Sequence, residues 1–314
     1  MANTRGGIDQ CPIILRCDNL ALIRANRAHR NCFSNRRIAL NQPSRNPISR
    51  WWQARRLRQA HAGIDPSLWA HAAEALPLLA GLEEPALRRL YDLAALFLHD
   101  KSLEPAQGAK LDASMQIELA LQACLPVLEL DLTWYHGWHA LILYPDEFVP
   151  VREVVDEDGV VWLDDLPKSG EAWEQGPVIL SLADAAAGRE RDGYNVIIHE
   201  LAHKLDMRNG VANGHPPLHA NMSNTRWAED LGAAYADLCR RADAARTSAE
   251  EPLIDPYGSE SPAEFFAVCS ETFFELPHLL RDEYRRVYGQ LSAFYRQDPA
   301  ARLRPLSHFE QRTT

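Results

Sequence analysis

The sequence predicts an α+β fold that is mainly helical, with a small mixed or antiparallel sheet beside one buried helix. Three observations indicate this fold. Apolar residues recur at helical spacing through most of residues 65–125. Short apolar runs between residues 139 and 182 have the length of strands. Residues 195–205 are apolar on almost all sides, which is typical of a helix inside a core.

The first half of the chain is expected to be helical. Short helical segments begin at Ser67 and at Leu76, and a longer amphipathic helix begins at Glu84-Pro85. A further helix is expected to continue to Cys124. Asp112 is a suitable N-cap for it, because its carboxylate can accept hydrogen bonds from the free backbone N–H groups of the first turn.

Strands are expected next, and helices again towards the end of the chain. The strand candidates are His139–Tyr144, a hairpin formed by Val151–Val155 and Val160–Leu163, and Val178–Leu182. A long loop, Arg208–Thr225, follows the buried helix, and loops of this length are often lids or mobile segments. Its histidines, His215 and His219, are expected to be solvated. Further helices are expected at Trp227–Arg246, from Ser261 onwards, and at Leu279–Tyr295.

The buried helix carries His199-Glu200-Leu201-Ala202-His203, an H-E-x-x-H motif. Residues four apart share one face of an α-helix, so both imidazoles can reach one metal ion. Glu200 follows the first histidine, where its carboxylate can take a proton from a water at that ion. The motif therefore predicts a zinc-dependent enzyme that hydrolyses peptide bonds. The alternative is a pair of core histidines that are hydrogen-bonded to carbonyl groups and bind no metal.

Catalytic zinc usually has three protein ligands, and three carboxylates are candidates for the third position. Asp206 lies on the same helix face as the two histidines, but its short side chain favours a role as acceptor for an imidazole N–H. Glu264 follows Ser261-Pro262-Ala263 at a helix start, where a glutamate can instead cap its own helix. Glu271 lies seven residues later on the same face and is a rival ligand or a partner of a ligand.

These segments resemble the Mlc titration factor A family of bacterial zinc peptidases, and the same elements are similar to the catalytic domain of anthrax lethal factor. The resemblance extends from about Trp51 to about Pro299. It is most specific at residues 199–207, at the Pro216-Pro217-Leu218-His219 loop and at residues 255–275.

The resemblance implies a zincin-like metallopeptidase fold with one Zn²⁺ per chain. It implies that His199, His203 and Glu264 are the metal ligands, with Glu200 as the catalytic base and Tyr257 as the phenol that stabilises the oxyanion. An aminopeptidase-like activity on peptide substrates is also implied. The alternative function is regulatory: binding of a glucose-responsive, Mlc-like transcriptional repressor, with catalysis secondary. A purely structural zinc is disfavoured, because such sites have four closed ligands that are usually rich in cysteine.

Two domain boundaries and a substrate site follow from these patterns. Residues 51–310 are expected to form a single zinc peptidase domain, with a helical part at 51–130 and a catalytic part at 131–310. An extended peptide can pair with an edge strand beside the metal. The candidate edge strands are Val178–Leu182 and the hairpin.

Charge is distributed unevenly along the chain. Residues 1–60 carry twelve arginines against two aspartates, although the whole chain has a net charge of −10. The acidic main body is therefore not expected to bind nucleic acid. Residues 1–50 could be a transit peptide, a nucleic-acid-binding tail or an extension added by an upstream start codon, and their composition favours a disordered extension.

Hydropathy and cysteine usage favour a cytoplasmic protein. No run approaches the ~18 apolar residues of a membrane-spanning helix, and the apolar stretch after Pro12 is interrupted by Arg16 and Asp18, which is unusual for a signal peptide. The six cysteines form no CxxC pair. Three of them lie in apolar helical patterns and are expected to be buried free thiols: Cys124, Cys239 and Cys269.

Overall fold

A computed structural model describes residues 47–148, 152–155, 161–164, 168–173, 176–247 and 251–306. Residues 1–46 of the expected Arg-rich extension, with Cys11, Cys17 and Cys32, lie outside this range. The helices are α1 Pro47–His61, α2 Pro66–Glu74, α3 Glu84–Asp100, α4 Ala113–Cys124, α5 Leu182–Ala187, α6 Val196–Asp206, α7 Asn224–Ala245, α8 Pro262–Glu275, α9 Pro277–Glu283, α10 Arg285–Tyr295 and α11 Pro299–Arg302. The strands are β1 Ser102–Pro105, β2 Ala140–Tyr144, β3 Arg152–Val155, β4 Val161–Asp164, β5 Gly170–Ala172 and β6 Val178–Ser181. Short 3-10 turns occur at Pro77–Leu79, Leu132–Tyr135, Met207–Asn209 and Pro256–Ser259.

The α+β prediction is confirmed: helices dominate, and four strands form a mixed sheet in the order β1-β2-β6-β5. β1, β2 and β6 are parallel, with Ile142 opposite Ile179, and β5 is antiparallel to β6. The predicted hairpin is present as β3 and β4, which pair with each other in a separate two-stranded sheet.

The sheet corrects the prediction that Val178–Leu182 is an edge strand. β6 lies between β2 and β5, and its four residues are buried. The strand also ends one residue early. Ser181 is the N-cap of α5, because its hydroxyl accepts from the backbone N–H of Asp184 at 3.2 Å, and Leu182 therefore begins a helix.

Two strands were not predicted, and one of them changes the internal boundary. β1 lies within the part expected to be helical, yet it pairs with β2 from the part expected to be catalytic. The boundary near residue 130 therefore crosses a single sheet. The second unpredicted strand, β5, forms the edge of the sheet and packs against α6.

α6 is the central helix of the molecule. All of its residues from Val196 to Asp206 are buried, as its sequence predicts. It starts at Asn195, whose side-chain oxygen accepts from the backbone N–H of Ile198 at 3.0 Å. α8 packs against it and is buried from Phe265 to Glu275. Polar side chains on these two helices must therefore be paired or functional, since unpaired buried polar groups are costly.

An aromatic cluster holds the C-terminal helices against α7 and α8. Trp227, Phe266 and Phe294 meet with ring centroids 5.8–6.1 Å apart. The single helix expected over Leu279–Tyr295 is two helices, α9 and α10, which meet at Tyr284. The break buries the Tyr284 ring and lets its hydroxyl donate to Asp237 on α7 at 3.1 Å.

No helix in the described ranges is long and apolar enough to cross a membrane. The cysteines of the described ranges, Cys124, Cys239 and Cys269, are buried, and Cys124 and Cys269 are free thiols, as predicted.

Candidate metal centre

His199, His203 and Glu264 converge between α6 and α8. The Nε2 atoms of the two histidines are 3.2 Å apart. Oε2 of Glu264 lies 2.9 Å from Nε2 of His199 and 3.3 Å from Nε2 of His203. One ligand atom from each residue therefore lies within 4.8 Å of the others. Within the described ranges, these are the three side chains placed to hold a metal ion.

The chemistry of these atoms fits a cation. Nδ1 of His199 is 2.7 Å from Oε1 of Glu271, and Oε2 of the same carboxylate accepts from the backbone N–H of Asn195 at 2.6 Å. Because both carboxylate oxygens act as acceptors, Nδ1 of His199 carries a proton, and loss of the proton on Nε2 would leave a lone pair there for a metal ion. Two imidazole nitrogens and a carboxylate oxygen then meet at one point, which is the donor set of a catalytic zinc site.

The electrostatics of the centre also favour positive charge. Burial alone would lower the pKa of His199, but the neighbouring Glu271, with Glu264 and Glu200, raises the pKa well above its usual value. Nδ1 of His203 is buried and has no hydrogen-bond partner in the described part of the chain. The three glutamates therefore create a site that stabilises an added proton or a metal cation.

Glu264 does not have to cap its own helix. Ser261 is the N-cap of α8, and its hydroxyl accepts from the backbone N–H of Glu264 at 3.1 Å. The side chain of Glu264 is directed to the histidines instead. Burial raises the pKa of this carboxyl group, but hydrogen bonds from His199 and His203 outweigh that effect and hold the pKa well below its usual range.

Glu200 is buried beside the centre and packs against β5. A Cβ atom added at Gly170 would lie 2.5 Å from Oε1 of Glu200, so only glycine leaves room for the carboxylate there. Burial is the main cause of a raised pKa at Glu200, and the two histidines partly oppose it. The carboxylate is thus a stronger proton acceptor than an exposed glutamate. Gly170 was not predicted as a site residue, since no strand was expected around it.

Asp206 does not accept a hydrogen bond from an imidazole, and that prediction was wrong. Its oxygens accept from the backbone N–H groups of Asn213, Gly214 and His215 at 2.7, 2.6 and 2.9 Å. Glu271 is the partner of the histidine instead. The three backbone donors explain why Asp206 does not bind a histidine, because a turn of the following loop already occupies the acceptor positions of its carboxylate.

Tyr257 lies at the rim of the centre. Its ring centroid is 5.9 Å from that of His199, and 46% of the residue is exposed. The 3-10 turn that carries it begins at Asp255, whose carboxylate accepts from the backbone N–H of Tyr257 at 2.8 Å. Burial of the hydroxyl and the charge of Glu264 raise the pKa of Tyr257 well above its usual range. The phenol therefore keeps its proton at neutral pH and can act as a donor.

The loop histidines are not part of the donor set. His219 is buried, contrary to the expectation that it is solvated, and its Nε2 donates to the carbonyl of Phe294 at 2.7 Å. His215 contacts Asn224 through Nε2 at 3.0 Å. The loop is therefore fastened to the helical body at several points.

Lys204 is a further residue that the sequence did not single out. Its ammonium group donates to the carbonyls of Trp173 and Gly176, the latter at 2.9 Å. These bonds tie the connection between β5 and β6 to α6, one residue after His203. The sequence signal was a lysine within a helix that is otherwise apolar on all sides, a position where it must have fixed partners.

Comparison with known proteins places this geometry in a family. The model of the family described as "Glucose-regulated metallo-peptidase M90" matches residues 49–296. The chain is 42% identical over 243 residues to "Mlc titration factor A" of Cronobacter sakazakii, covering 77% of this chain and 91% of that protein. It is 41% identical over 235 residues to proteins of the same name from Yersinia pestis and Yersinia pseudotuberculosis, covering 74% of this chain and 86% of each.

Proposed function

Because the chain belongs to the glucose-regulated metallo-peptidase M90 family, we propose that it hydrolyses peptide bonds with one zinc ion held by His199, His203 and Glu264. The observation that carries this proposal is the convergence of the three ligand atoms within 4.8 Å, with the buried Glu200 carboxylate beside them. Bound zinc would act as a Lewis acid that polarises the scissile carbonyl and acidifies a water molecule.

The side chains around the centre have distinct roles in this proposal. Glu200 takes the proton of the attacking water and passes it to the leaving amine, a task suited to its raised pKa. Tyr257 donates its phenolic hydrogen to the developing oxyanion. Glu271 accepts from Nδ1 of His199 and keeps that ring oriented.

The substrate is proposed to bind along β5 rather than along β6. β5 pairs with β6 on one side, and no other strand of the described ranges pairs with its outer side. Gly170 brings this edge against the Glu200 carboxylate. An extended peptide that adds to the edge by backbone hydrogen bonding would therefore present a carbonyl to the centre. We propose an aminopeptidase-like preference, which cleavage of matched peptides with free and acetylated N-termini tests directly.

The decisive experiment for the proposed function is the substitution Glu200→Gln. The change removes the proton acceptor and keeps the shape of the side chain, so bound zinc is expected to stay near one per chain. Turnover of a peptide library should fall by about 10²–10⁴-fold. Glu229→Gln, a change on α7, is the control and should leave both quantities unchanged. Hydrolysis at the wild-type rate by purified Glu200→Gln protein would contradict the assigned role.

A second candidate function is binding of a repressor. The curated relatives carry the name "Mlc titration factor A", and this name favours association with an Mlc-like transcriptional repressor. Pull-down of such a repressor with wild-type and Glu200→Gln protein separates the two functions. Equal capture by both proteins would make binding independent of catalysis, and loss of capture would tie it to the reaction.

A cytoplasmic location is proposed on the basis of the thiols. Cys124 and Cys269 are buried free thiols, as is usual for proteins of reducing compartments. Fractionation of the native organism with an antibody to this chain tests the location.

A further inference from the structure

The turn Asn213-Gly214-His215 is bound on two sides at once. On one side its three backbone N–H groups donate to the carboxylate of Asp206 at 2.6–2.9 Å. Asp206 is the last residue of α6 and is fully buried. Three short bonds to one charged acceptor fix the turn relative to the helix that carries both histidines, since bonds to charged groups are about twice as strong as neutral ones.

On the other side the turn lies against the start of α8. A Cβ atom added at Gly214 would lie 2.3 Å from the carbonyl oxygen of Pro262 and 2.9 Å from its carbonyl carbon. Gly214 also has a φ of +75°, which favours glycine. Its carbonyl accepts from Nε1 of Trp227 at 3.0 Å, which adds an anchor from α7. The turn is therefore held in direct contact with the backbone two residues before Glu264.

The two halves of the metal centre lie on different helices, and the chain between them is long. His199 and Glu264 are 65 residues apart in sequence, yet their side chains meet at 2.9 Å. α6 and α8 pack directly against each other farther along α8, where Glu271 contacts His199. At the start of α8 the contact between Gly214 and the Pro262 carbonyl limits how closely its first turn approaches, and Asp206 fixes the position of Gly214.

We propose that Asp206 is a positioning residue for the third metal ligand, and that it acts through the Asn213–His215 turn and the Pro262 backbone on Glu264. This inference rests on the proposed zinc site. Asp206 has no direct contact with the ion in this proposal. Its role is to keep the Glu264 carboxylate at the correct distance from the two imidazoles, so its loss should weaken zinc binding without removing any ligand.

Two substitutions test the connection at its two ends. Asp206→Asn removes one acceptor oxygen and leaves the volume nearly unchanged, so the turn loses at least one of its bonds to this side chain. The His215 N–H also has Oδ1 of Asn213 as an acceptor at 2.9 Å, so the amides of Asn213 and Gly214 depend most on Asp206. Gly214→Ala pushes against the Pro262 carbonyl. Gly210→Ala is the matched control, because Gly210 lies in the same loop with a φ of +134° but has no atom within 4 Å of an added Cβ. It introduces backbone strain at a positive φ without the contact.

The first measurement is the zinc dissociation constant, by competition with a chromogenic chelator. Asp206→Asn and Gly214→Ala are expected to raise it about 10–100-fold, and Gly210→Ala to leave it within about threefold of wild type. Saturating zinc should restore most of the peptidase turnover of both variants, which a defect in the chemical step would not allow. Wild-type zinc affinity in folded Asp206→Asn protein would overturn the inference.

The second measurement needs no zinc. Hydrogen exchange of the zinc-free wild type should show slow exchange at the amides of residues 213–215, and faster exchange at Glu264 in either variant. Rapid exchange of the three turn amides in wild type would overturn the inference, even if zinc binding and hydrolysis are found. Failure of wild type to bind zinc, with these amides protected, would instead refute the proposed function.

Discussion

Tyr257 is the least enclosed residue of the proposed catalytic set, and its environment is suited to donation rather than to proton transfer. Burial of its hydroxyl and the nearby Glu264 and Glu260 carboxylates raise its pKa, so the phenol stays protonated throughout the neutral range. A group with a high pKa is a poor general acid at pH 7 but a good hydrogen-bond donor to an oxyanion. The structure thus favours Tyr257 as a hydrogen-bond donor to the oxyanion over Tyr257 as a general acid.

The substitution Tyr257→Phe should therefore lower kcat by about 10²-fold, the usual effect of removing one oxyanion donor. KM and bound zinc should change little, because the phenol contacts neither the ground-state peptide backbone nor the ion in this proposal. Steady-state kinetics and metal analysis of the same preparation measure the three quantities. A parallel loss of zinc would show that Tyr257 supports the site rather than the transition state.

At the scale of elements, the position of β5 against α6 determines how Glu200 is presented. The strand has no apolar residue large enough to anchor it, and its place depends on pairing with β6 and on the glycine that faces Glu200. Lys204 adds a second connection by binding the carbonyls at the end of the strand. Strand and helix are therefore connected at two points, and the carboxylate has a defined position between them.

Gly170→Ala tests this arrangement. The added methyl group would meet Oε1 of Glu200 at 2.5 Å, so the carboxylate must shift, and kcat should fall at least about 10-fold while zinc remains bound. Gly232→Ala in α7 has no atom within 4 Å of the added Cβ and is the matched control. It should leave activity unchanged and can stabilise the helix by up to ~1 kcal/mol. Equal activity of the two variants would show that the contact is unimportant for catalysis.

A buried polar network joins α4, α6 and α8 behind the metal centre. The Asn195 side chain donates to Gln122 at 2.8 Å and to Oε1 of Glu275 at 3.0 Å. Oε2 of Glu275 is buried without a hydrogen-bond partner in the described ranges. Burial, opposed by the bond from Asn195 and assisted by the charge of Asp192, raises the pKa of Glu275 to about 8. The side chain is therefore held neutral in the folded protein at pH 7.

This pKa predicts a stability that falls with rising pH. Between the unfolded value near 4.3 and the folded value of about 8, the folded state binds a proton that the unfolded state has lost, so unfolding becomes easier as the pH rises. Relative to Glu275→Gln, the wild type should lose about 1 kcal/mol of unfolding free energy per pH unit across this window. Urea denaturation from pH 5 to pH 8 measures the difference, and parallel curves for the two proteins would refute the assignment.

Sequence patterns predicted the elements that are rich in buried apolar residues and missed those that contain few of them. α6 is evident, because apolar residues surround the motif on every side. β1 and β5 have the sequences Ser-Leu-Glu-Pro and Gly-Glu-Ala, which contain no apolar run, because edge strands are ordered by backbone pairing rather than by side-chain burial. The partner of Asp206 was missed for a related reason: backbone donors leave no side-chain signature in a sequence.

The site residues also differ in how far local sequence patterns predict them. The histidines and Glu200 follow from spacing on one helix, whereas Glu264 and Tyr257 are brought to the centre by a separate helix and turn. Residue patterns left Glu264, Glu271 and Asp206 as alternatives, and resemblance selected Glu264. The structure gives each carboxylate a different partner: the two imidazoles, Nδ1 of His199, and the loop amides.

At the scale of the whole molecule, the helical and catalytic parts share both a sheet and a core. β1 follows α3 and pairs with β2, and the hydrophobic core extends without interruption from Ala60 to Ala300. Buried residues of α3 and α4, among them Leu90, Phe97 and Leu121, belong to the same core as Ile198 of the metal helix. The family match over residues 49–296 covers nearly all of this core. We therefore expect one cooperative unit and not two separable parts.

Two truncations measure where that unit begins. A chain of residues 46–314 retains every buried residue of the described core, so its zinc content, turnover and melting temperature should match those of the full chain.

A chain of residues 131–314 lacks β1 and the buried faces of α3 and α4. Each Å² of apolar surface that this loss exposes costs about 25 cal/mol, so roughly 200–600 Å² would offset the ~5–15 kcal/mol of stability of a typical domain. The chain of residues 131–314 should therefore show no cooperative melting and no stoichiometric zinc binding. Zinc binding by the shorter chain would establish a separable catalytic part, and loss of activity on removing residues 1–45 would give the Arg-rich segment a function.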